Sequence, residues 1–217
     1  MNIIKPSYEI LEYPKDCLRR IERAARTCYK SEDKTCDGSA KRIVENLIRR
    51  RHLAMVEFGG DMVVKFVSNR GFSHELVRHR MASFAQESTR YCNYSKKKFT
   101  KNVTYIDTSD VMDSCACAEG FGLTIADLFE LAEAAYLFLV NNGCPAEIAR
   151  EVLPIGTKAE IVIKANIREW RHVFELRTSR KSHPRMRELM IPLLKESASL
   201  MPIVFDDIKQ KVEERNL

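Results

Sequence analysis

The sequence lacks any long hydrophobic run, and this lack argues against a membrane-spanning protein. The longest uninterrupted apolar stretch covers residues 134–140, whereas a transmembrane helix needs about 18 or more apolar residues in succession. The N-terminal residues 1–6 also lack a basic segment that leads into a long apolar one, which is the pattern of a secretory signal. We therefore expect a cytoplasmic protein with no membrane partner.

Phosphate-binding glycine motifs are also absent. The chain has 8 glycines, and they form neither G-x-G-x-x-G nor a Walker loop, so the two usual nucleotide-binding fingerprints do not apply. No stretch rich in proline, glycine or serine marks a linker, and no repeat of about 20–50 residues is present. The length of 217 residues suits one large domain or two small ones, at roughly 100–200 residues per domain.

The 7 cysteines are an odd number and are scattered along the chain. This pattern favours reduced thiols in a cytoplasmic protein over a disulfide framework. Cys115 and Cys117 are the only close pair, and their polar and glycine neighbours indicate a loop. Because no second cysteine or histidine pair stands at zinc-ligand spacing, we expect no metal site.

Charge and apolar content define the kind of partner to expect. With 45% hydrophobic and 30% charged residues, the chain can bury a core and is not disordered. Its net charge is +6, and its 36 basic residues comprise 20 arginines and 16 lysines. Arginine binds phosphate and carboxylate through two parallel hydrogen bonds, so an anionic small ligand and a nucleic acid are both open at this point.

Hydrophobic periodicity predicts helices and strands that are interspersed without a regular βαβ rhythm. Helices are predicted over residues 17–29, 40–51, 167–179 and 184–200, and between a capping Thr124 and Gly143. Strands are predicted over residues 7–11, 61–68 and 157–165. We expect Pro192 to bend or break the last helix, because proline has no amide hydrogen to donate. The arrangement favours an α+β fold.

Residues 78–90 concentrate groups that can bind an anion. They include Arg78, His79, Arg80, Ser83, Gln86, Ser88 and Arg90. Several like charges placed together need a counter-charge, which a ligand can supply. An ordinary basic surface loop is the alternative interpretation.

Arg177 has an unusual position on its predicted helix. Trp170, Val173 and Phe174 mark the apolar face, and Arg177 falls on the same face at i+7 from Trp170. Burying a charge is costly unless the charge is paired. Arg177 therefore either reaches water near the helix C-terminus or points into a pocket.

Five segments together resemble the flavin-dependent thymidylate synthases. The signature of that family is R-H-R, seven variable residues and a serine, and residues 78–88 match it. Four further segments agree in order and spacing: A-R-T-C-Y at 25–29, H-x4-E at 52–57, A-R-x-x-L-P at 149–154, and N-x-R-E-W through L-R at 166–177. The resemblance covers roughly residues 3–190. It implies a single domain over residues 1–217, with a mainly antiparallel sheet flanked by helices and a further helical portion.

The resemblance implies an FAD-dependent methyltransferase that makes dTMP from dUMP. The carbon would come from 5,10-methylenetetrahydrofolate, which leaves as tetrahydrofolate. The hydride would come from FAD, and NADPH would reduce the flavin again. No enzyme nucleophile and no nucleic-acid partner are expected, and the family implies a homotetramer with shared active sites.

The resemblance also assigns roles to individual residues. The catalytic residue would be Arg177, which stabilises negative charge that develops on the pyrimidine. The dUMP-binding residues would be Glu75, Arg78, Gln86, Glu87, Ser88, Arg90, Arg150 and Arg177. The FAD-binding residues would be His52, Arg78, His79, Arg80, Gln86, Asn166, Arg168 and His172.

Several positions depart from the commoner pattern of the family. They are Ala54, Glu75, Ala85, Gln86, His172 and residues 184–187. The arginines that would hold phosphate are intact, so we expect subfamily variation rather than loss of activity.

Two other functions stay open on the sequence alone. A basic nucleic-acid-binding module is the alternative from a different class, although the chain has no recognisable reader motif. A flavin-binding relative without synthase activity is the other. Ser88 resembles a nucleophile, but no histidine–aspartate pair is spaced around it, so we assign it to substrate binding.

Overall fold

The computed structural model describes residues 1–109 and 123–215. These residues form two compact units. The first unit consists of the described parts of Met1–Ser7, Phe66–Arg78 and Ala85–Ile161, and the second unit of those of Tyr8–Lys65, His79–Phe84 and Val162–Leu217. The loop predicted around Cys115 and Cys117 lies outside the described residues, and the single-domain prediction stays a prediction.

Helices supply most of the regular structure. They are α1 (Cys17–Tyr29), α2 (Ser39–Arg49), α3 (Arg70–Leu76), α4 (Ile125–Asn141), α5 (Ala146–Ala149), α6 (Ile167–Arg177), α7 (Pro184–Leu200) and α8 (Asp206–Glu214). Short 3₁₀ segments cover Glu32–Lys34, Leu53–Gly59, Lys97–Phe99 and Arg150–Val152. Over residues 1–109 and 123–215, no helix is both long and apolar enough to cross a membrane.

In the described part of the chain, the strands form two sheets. They are β1 (Asn2–Ile4), β2 (Ser7–Glu12), β3 (Asp61–Asn69), β4 (Ser83–Gln86), β5 (Thr104–Ile106) and β6 (Lys158–Asn166). Four strands make an antiparallel sheet in the order β2-β3-β6-β4, while β1 and β5 pair in parallel. The predicted α+β fold with a mainly antiparallel sheet is therefore confirmed.

The core of the first unit is built on aromatic rings. Tyr105 of β5 stacks on Phe129 of α4 with ring centroids 4.3 Å apart. Gly156 lies so close to this stack that an added Cβ would stand 2.7 Å from the Phe129 ring. The backbone N–H of Val103 donates to the buried Glu133 carboxylate of α4 at 2.7 Å. These contacts hold the short strand β5 against α4, because a three-residue strand has few ladder hydrogen bonds of its own.

The core of the second unit is centred on α6. Trp170 is fully buried, and its indole N–H donates to the carbonyl of Met62 in β3 at 2.9 Å. Phe174 follows one turn later and packs edge-on against Phe205, with centroids 5.3 Å apart. The apolar face predicted for this helix is thus a core face. Aromatic pairs of this geometry contribute about 0.5–1.5 kcal/mol beyond their buried area.

Strong local patterns locate the long elements correctly. Helix α1 has the predicted bounds, and Thr124 caps α4 in a capping box with Asp127. Pro192 does not break α7, which continues to Leu200. The residues that follow the proline, Leu193 and Leu194, are buried, and their packing offsets the loss of one helical hydrogen bond.

The short strands β1, β4 and β5 have no counterpart in the sequence-based prediction. They contain 3, 4 and 3 residues, which is too few for an alternating pattern to show. β4 also falls inside the basic segment that the sequence analysis treated only as a ligand-binding or surface stretch. Its pairing partners, not its composition, make it a strand.

An arginine buried in the second unit depends on one carboxylate. Arg171 of α6 is 3% exposed, and it donates to both carboxylate oxygens of Asp207 in α8, at 2.7 and 2.8 Å. Burial alone would raise the pKa of Asp207, but hydrogen bonds and charge from Arg171 lower that pKa below its ordinary value. The pair therefore links α6 to α8.

We expect Asp207→Asn to lower the free energy of unfolding by about 2 kcal/mol, because it leaves the Arg171 charge buried without its counter-charge. Chemical denaturation measures the effect. Glu213→Gln, on the exposed surface of α8, is the matched control and should change stability by less than about 0.5 kcal/mol. Equal stability of Asp207→Asn and the unaltered protein would contradict the importance of the pair.

Candidate functional site

The first unit brings together several of the predicted dUMP-binding residues. Helix α3 begins where the Asn69 side chain accepts from the Phe72 N–H at 2.9 Å, which is a typical N-cap. Gln86 of β4 donates to the Ser73 hydroxyl of α3 at 3.0 Å. Glu75 lies near the end of α3, and the exposed Arg78 follows it. The short helix α3 and the short strand β4 thus position Glu75 and Gln86.

The segment after β4 is held as a tight turn by Ser88. The backbone N–H groups of Tyr91 and Cys92 donate to the Ser88 carbonyl at 3.2 and 2.9 Å. The Ser88 hydroxyl accepts from the Arg90 N–H at 3.2 Å. This geometry makes Ser88 a residue that shapes the turn, and its assignment to substrate binding stays a prediction.

Two of the predicted phosphate-binding arginines meet around α5. Arg90 donates through Nε to a carboxylate oxygen of Glu147 at 2.7 Å. Arg150 donates through Nε to the Glu147 carbonyl and through Nη1 to the Thr89 hydroxyl, both at 3.1 Å. Glu147 therefore acts as the counter-charge that clustered cations require. Both side chains of the Arg90–Glu147 pair are about half exposed, so the pair is weak.

Glu87 faces a different set of groups. Its carboxylate lies 3.0 Å from Nζ of Lys158, which also contacts Glu160 at 2.8 Å. Burial alone would lower the pKa of Lys158, but its hydrogen bonds with Glu160 and Glu87 raise that pKa above the ordinary value. These residues and Tyr94 line a polar cavity of about 490 Å³. The Glu87 side chain is engaged here, and its predicted contact with dUMP stays a prediction.

The second unit places Arg177 against the histidine of the R-H-R motif. Nε of Arg177 donates to Nε2 of His79 at 2.8 Å. The other ring nitrogen of His79, Nδ1, lies 3.3 Å from a carboxylate oxygen of Glu169. His172 packs edge-on against His79 with ring centroids 5.7 Å apart. Glu169, His172 and Arg177 all come from α6, so one helix presents three groups to one imidazole.

Burial and positive neighbours keep His79 neutral. Burial, and after it the electrostatic effects of Arg177 and His172, together lower its pKa to about 4. Burial raises the pKa of Glu169, while His172 and Arg168 oppose that rise. His79 is therefore a hydrogen-bonding group at neutral pH and not a cation.

The remaining predicted FAD-binding residues of the second unit are more accessible. His52, Arg80 and His172 are exposed, whereas Asn166 and Arg168 are half-buried. Asn166 caps α6, because its side chain accepts from the Glu169 N–H at 2.8 Å. His52 lies beside Tyr29 and Arg50 in a cavity of about 310 Å³. The guanidinium groups of Arg80 and Arg168 suit the phosphates of a dinucleotide.

Sequence reasoning missed two carboxylates of these clusters. Glu147 belongs to no segment of the family signature. Glu169 is the glutamate of the N-x-R-E-W segment, but the family resemblance assigned it no role, and its spacing from Asn166 predicts only capping. The signal that could have pointed to both is the excess of nearby arginines, because cations that gather around a ligand also need partners when no ligand is bound.

The fold and the two clusters together define a class of protein. It is an α+β protein whose two clusters are built from arginines, histidines and carboxylates and not from a glycine-rich loop. The sequence profile of the family described as thymidylate synthase complementing protein (Thy1) matches residues 9–203, and this chain belongs to that family. The predicted family is therefore confirmed, and with it, at the level of the family, an enzyme that uses a flavin.

Individual relatives agree with this assignment. The chain is 28% identical over 204 residues to a flavin-dependent thymidylate synthase of Geobacter sulfurreducens, covering 91% of this chain and 84% of that one. It is 28% identical over 196 residues to the enzyme of the same name from Mycobacterium tuberculosis H37Rv, with coverage of 87% and 78%.

Solved structures agree on the fold. The UMP/dUMP methylase PolB from Streptomyces cacaoi bound with 5-Br dUMP matches with a TM-score of 0.75 at 24% identity, covering 95% of this chain and 96% of that one. The same protein bound with 5-Br UMP matches with a TM-score of 0.73 at 22% identity, with coverage of 97% and 96%.

We expect Glu147→Gln to strengthen the binding of dUMP, the ligand predicted from the sequence, by about two- to fivefold. A phosphate that approaches Arg90 must displace the Glu147 carboxylate, and an exposed pair of this kind is worth about 0.2–1 kcal/mol. The substitution leaves the backbone carbonyl that holds Arg150 in place. Calorimetric titration measures the Kd, with Glu130→Gln, exposed on α4, as control. Unchanged or weaker binding in Glu147→Gln would argue against competition.

We expect the unfolding free energy to decline as the pH falls from about 6.5 to about 4, in part because of His79. The unfolded chain takes up a proton at this histidine in that window and the folded chain does not, so acid favours unfolding. His79→Gln should therefore show a shallower pH dependence than the unaltered protein, measured by denaturation at several pH values. His74→Gln, at an exposed histidine of α3, should keep the original slope. A His79→Gln slope equal to the original would show that His79 titrates normally.

Proposed function

We propose that this protein is a flavin-dependent thymidylate synthase that methylates dUMP to dTMP. The observation that carries the proposal is the hydrogen bond of 2.8 Å between Arg177 and His79. The two residues come from separate segments of the family signature and are 98 positions apart in the chain. Their convergence supports a common site for the two segments, as a reaction centre built from both would require.

The residues of the first unit would bind dUMP. Arg78, Arg90 and Arg150 supply guanidinium groups that stay charged at every working pH, so phosphate binding needs no change of protonation. Gln86 and the Ser88 turn supply polar groups beside them, and Glu75 lies in α3. The exposed Arg90–Glu147 pair supports this role, because a weak partner gives way to a dianionic phosphate.

The residues of the second unit would hold FAD. The exposed Arg80 and the half-buried Arg168 supply fixed positive charge for its diphosphate, and the exposed His172 supplies a hydrogen-bonding ring beside them. FAD supplies the hydride when bound. We further propose 5,10-methylenetetrahydrofolate as carbon donor, tetrahydrofolate as coproduct and NADPH as reductant of the flavin. The proposed set of FAD-binding residues is completed by His52, Arg78, His79, Gln86 and Asn166.

Arg177 would stabilise negative charge on the uracil ring, and a ring that is richer in electrons is the better nucleophile when its C5 attacks the carbon donor. A fixed cation at a position where charge develops lowers the barrier because it needs no reorganisation during the reaction. The neutral His79 takes none of that positive charge away, since it only accepts a hydrogen bond from Nε. No enzyme nucleophile takes part in this proposal, and the Ser88 hydroxyl serves binding.

We propose a cytoplasmic homotetramer with shared active sites. Leu131 and Phe138 of α4 are 59% and 68% exposed. Large apolar side chains exposed along one helix are typical of a protein contact surface. Light scattering of the purified protein should give a mass near four times 25.1 kDa, and a monomer would contradict this part of the proposal.

The absorbance spectrum of the purified protein tests the function directly. We expect a yellow protein whose flavin absorbance is bleached by NADPH in the absence of oxygen, together with formation of dTMP from dUMP. A protein that binds no flavin, even with added FAD and dUMP, would exclude the proposal. Flavin binding without dTMP formation would identify a relative that lacks the synthase activity.

We expect Arg177→Ala to reduce dTMP formation at least about a hundredfold, because removing one charge-stabilising group at a reaction centre costs roughly 10²–10³ in rate. Circular dichroism should show an intact fold. Arg49→Ala, at an exposed arginine of α2, is the matched control and should turn over normally. Turnover of Arg177→Ala near that of the unaltered protein would refute the assigned role.

A further inference from the structure

Glu169, His79 and Arg177 form a continuous chain of contacts within the second unit. The carboxylate of Glu169 lies 3.3 Å from Nδ1 of His79, and Nε2 of the same ring receives the Arg177 N–H at 2.8 Å. His79 is 4% exposed and Glu169 is 8% exposed. Water therefore has little access to the imidazole, and each ring nitrogen depends on its protein partner.

The chemistry of arginine decides where the proton of His79 sits. A guanidinium is always protonated in proteins and can only donate hydrogen bonds. The nitrogen that faces Arg177, Nε2, must then carry a lone pair and no hydrogen. Because His79 is neutral, its single ring proton is on Nδ1. That proton points at the Glu169 carboxylate. An ionised carboxylate has no hydrogen to donate, so Glu169 accepts this hydrogen bond.

We propose that Glu169 is a positioning residue for Arg177, acting through His79. By accepting the Nδ1 proton, Glu169 holds the imidazole in the tautomer whose Nε2 receives the arginine, and so fixes the direction of the guanidinium. The inference rests on the proposed function, because it assigns Glu169 a part in that reaction. It resembles the general arrangement in which a carboxylate orients a histidine that in turn orients a reacting group.

A purely structural role of Glu169 as a capping residue explains less. The cap of α6 is made by the Asn166 side chain, which accepts from the Glu169 backbone N–H at 2.8 Å. That bond uses the backbone of Glu169 and leaves its carboxylate for His79. Burying a carboxylate beside a neutral histidine costs desolvation free energy. Orientation of the His79 ring is the function that this placement of Glu169 can serve.

A metal ion is the competing occupant of this cluster. The ligand atoms of His79, Glu169 and His172 lie within 4.8 Å of one another, and two histidines with one carboxylate can bind a divalent transition metal. An ion on Nδ1 of His79 would move the ring proton to Nε2, where it would oppose the N–H of Arg177. The Arg177 contact therefore favours the proton over the metal at Nδ1.

Nitrogen NMR of the histidine-labelled full chain tests the tautomer without any change to Glu169. The signals of His79 are identified by their loss in His79→Gln. We expect Nδ1 to carry the proton and Nε2 to be unprotonated at pH 7. A proton on Nε2, or on both nitrogens, would overturn the proposal. Addition of equimolar Zn²⁺ should leave these signals unchanged, and stoichiometric Zn²⁺ binding that Glu169→Ala abolishes would also overturn it.

Kinetics of three variants tests the consequence. Glu169→Ala removes the acceptor, and we expect kcat to fall at least about tenfold, as loss of an orienting carboxylate commonly does. Glu169→Gln retains a carbonyl acceptor for the Nδ1 proton and should recover most of kcat. The control Glu175→Ala changes an exposed carboxylate of the same helix and should behave as the unaltered protein. An effect on KM for dUMP alone, with kcat unchanged, would contradict positioning of Arg177.

Thermal unfolding separates this role from a structural one. If Glu169→Ala and Glu169→Gln lose stability and activity together while His79 keeps its tautomer, Glu169 only supports the fold and the proposal fails. The outcomes also separate the inference from the proposed function. A protein without dTMP formation but with the Nδ1 tautomer contradicts only the function, whereas full turnover with the proton on Nε2 contradicts only the inference.

Discussion

The structure depends on a constraint that arginine imposes: a guanidinium keeps its charge wherever it lies, so the fold must supply acceptors for each one that it buries. In the second unit, Arg26 of α1 is 7% exposed and Arg185 of α7 is 2% exposed. Arg26 contacts Glu22 and the carbonyls of Ser31 and Lys34, which ties α1 to the segment after it. Arg185 contacts Glu188 one turn along its own helix. These contacts are part of the architecture, and the acceptors are carboxylates and backbone carbonyls.

The same constraint separates structural arginines from those that bind ligands. Arg171 is enclosed, and its two-point contact with Asp207 is a permanent link between helices. Arg90 has its own carboxylate partner, Glu147, but that pair is open to solvent and weak, so a phosphate can replace it. Arg177 is the third type. Its Nε donates to the neutral imidazole of His79, which helps to orient the guanidinium, and an oriented cation is suited to act on a reacting group.

The predictability of this protein follows the range of the interactions involved. The bounds of α1 and the cap at Thr124 could be predicted, because helical periodicity and capping are local. The strands β1, β4 and β5 could not, since short strands exist only through partners that are distant in the chain. Pro192 also shows that local rules are insufficient. The local rule predicts a bend or break at this proline, but burial of the residues that follow it keeps the helix continuous.

By itself the sequence determined the family and the set of chemically active residues, because signature spacing and residue type are written in the chain. It also placed Arg177 on an apolar helix face and left open whether that side chain reaches water or a pocket. Only the tertiary structure shows that Arg177 contacts His79. His79 is 98 positions from Arg177 and 90 from Glu169, and no local pattern predicts that one ring touches both. The position of a single proton on His79 follows from those two contacts, and with it the direction in which Arg177 is held.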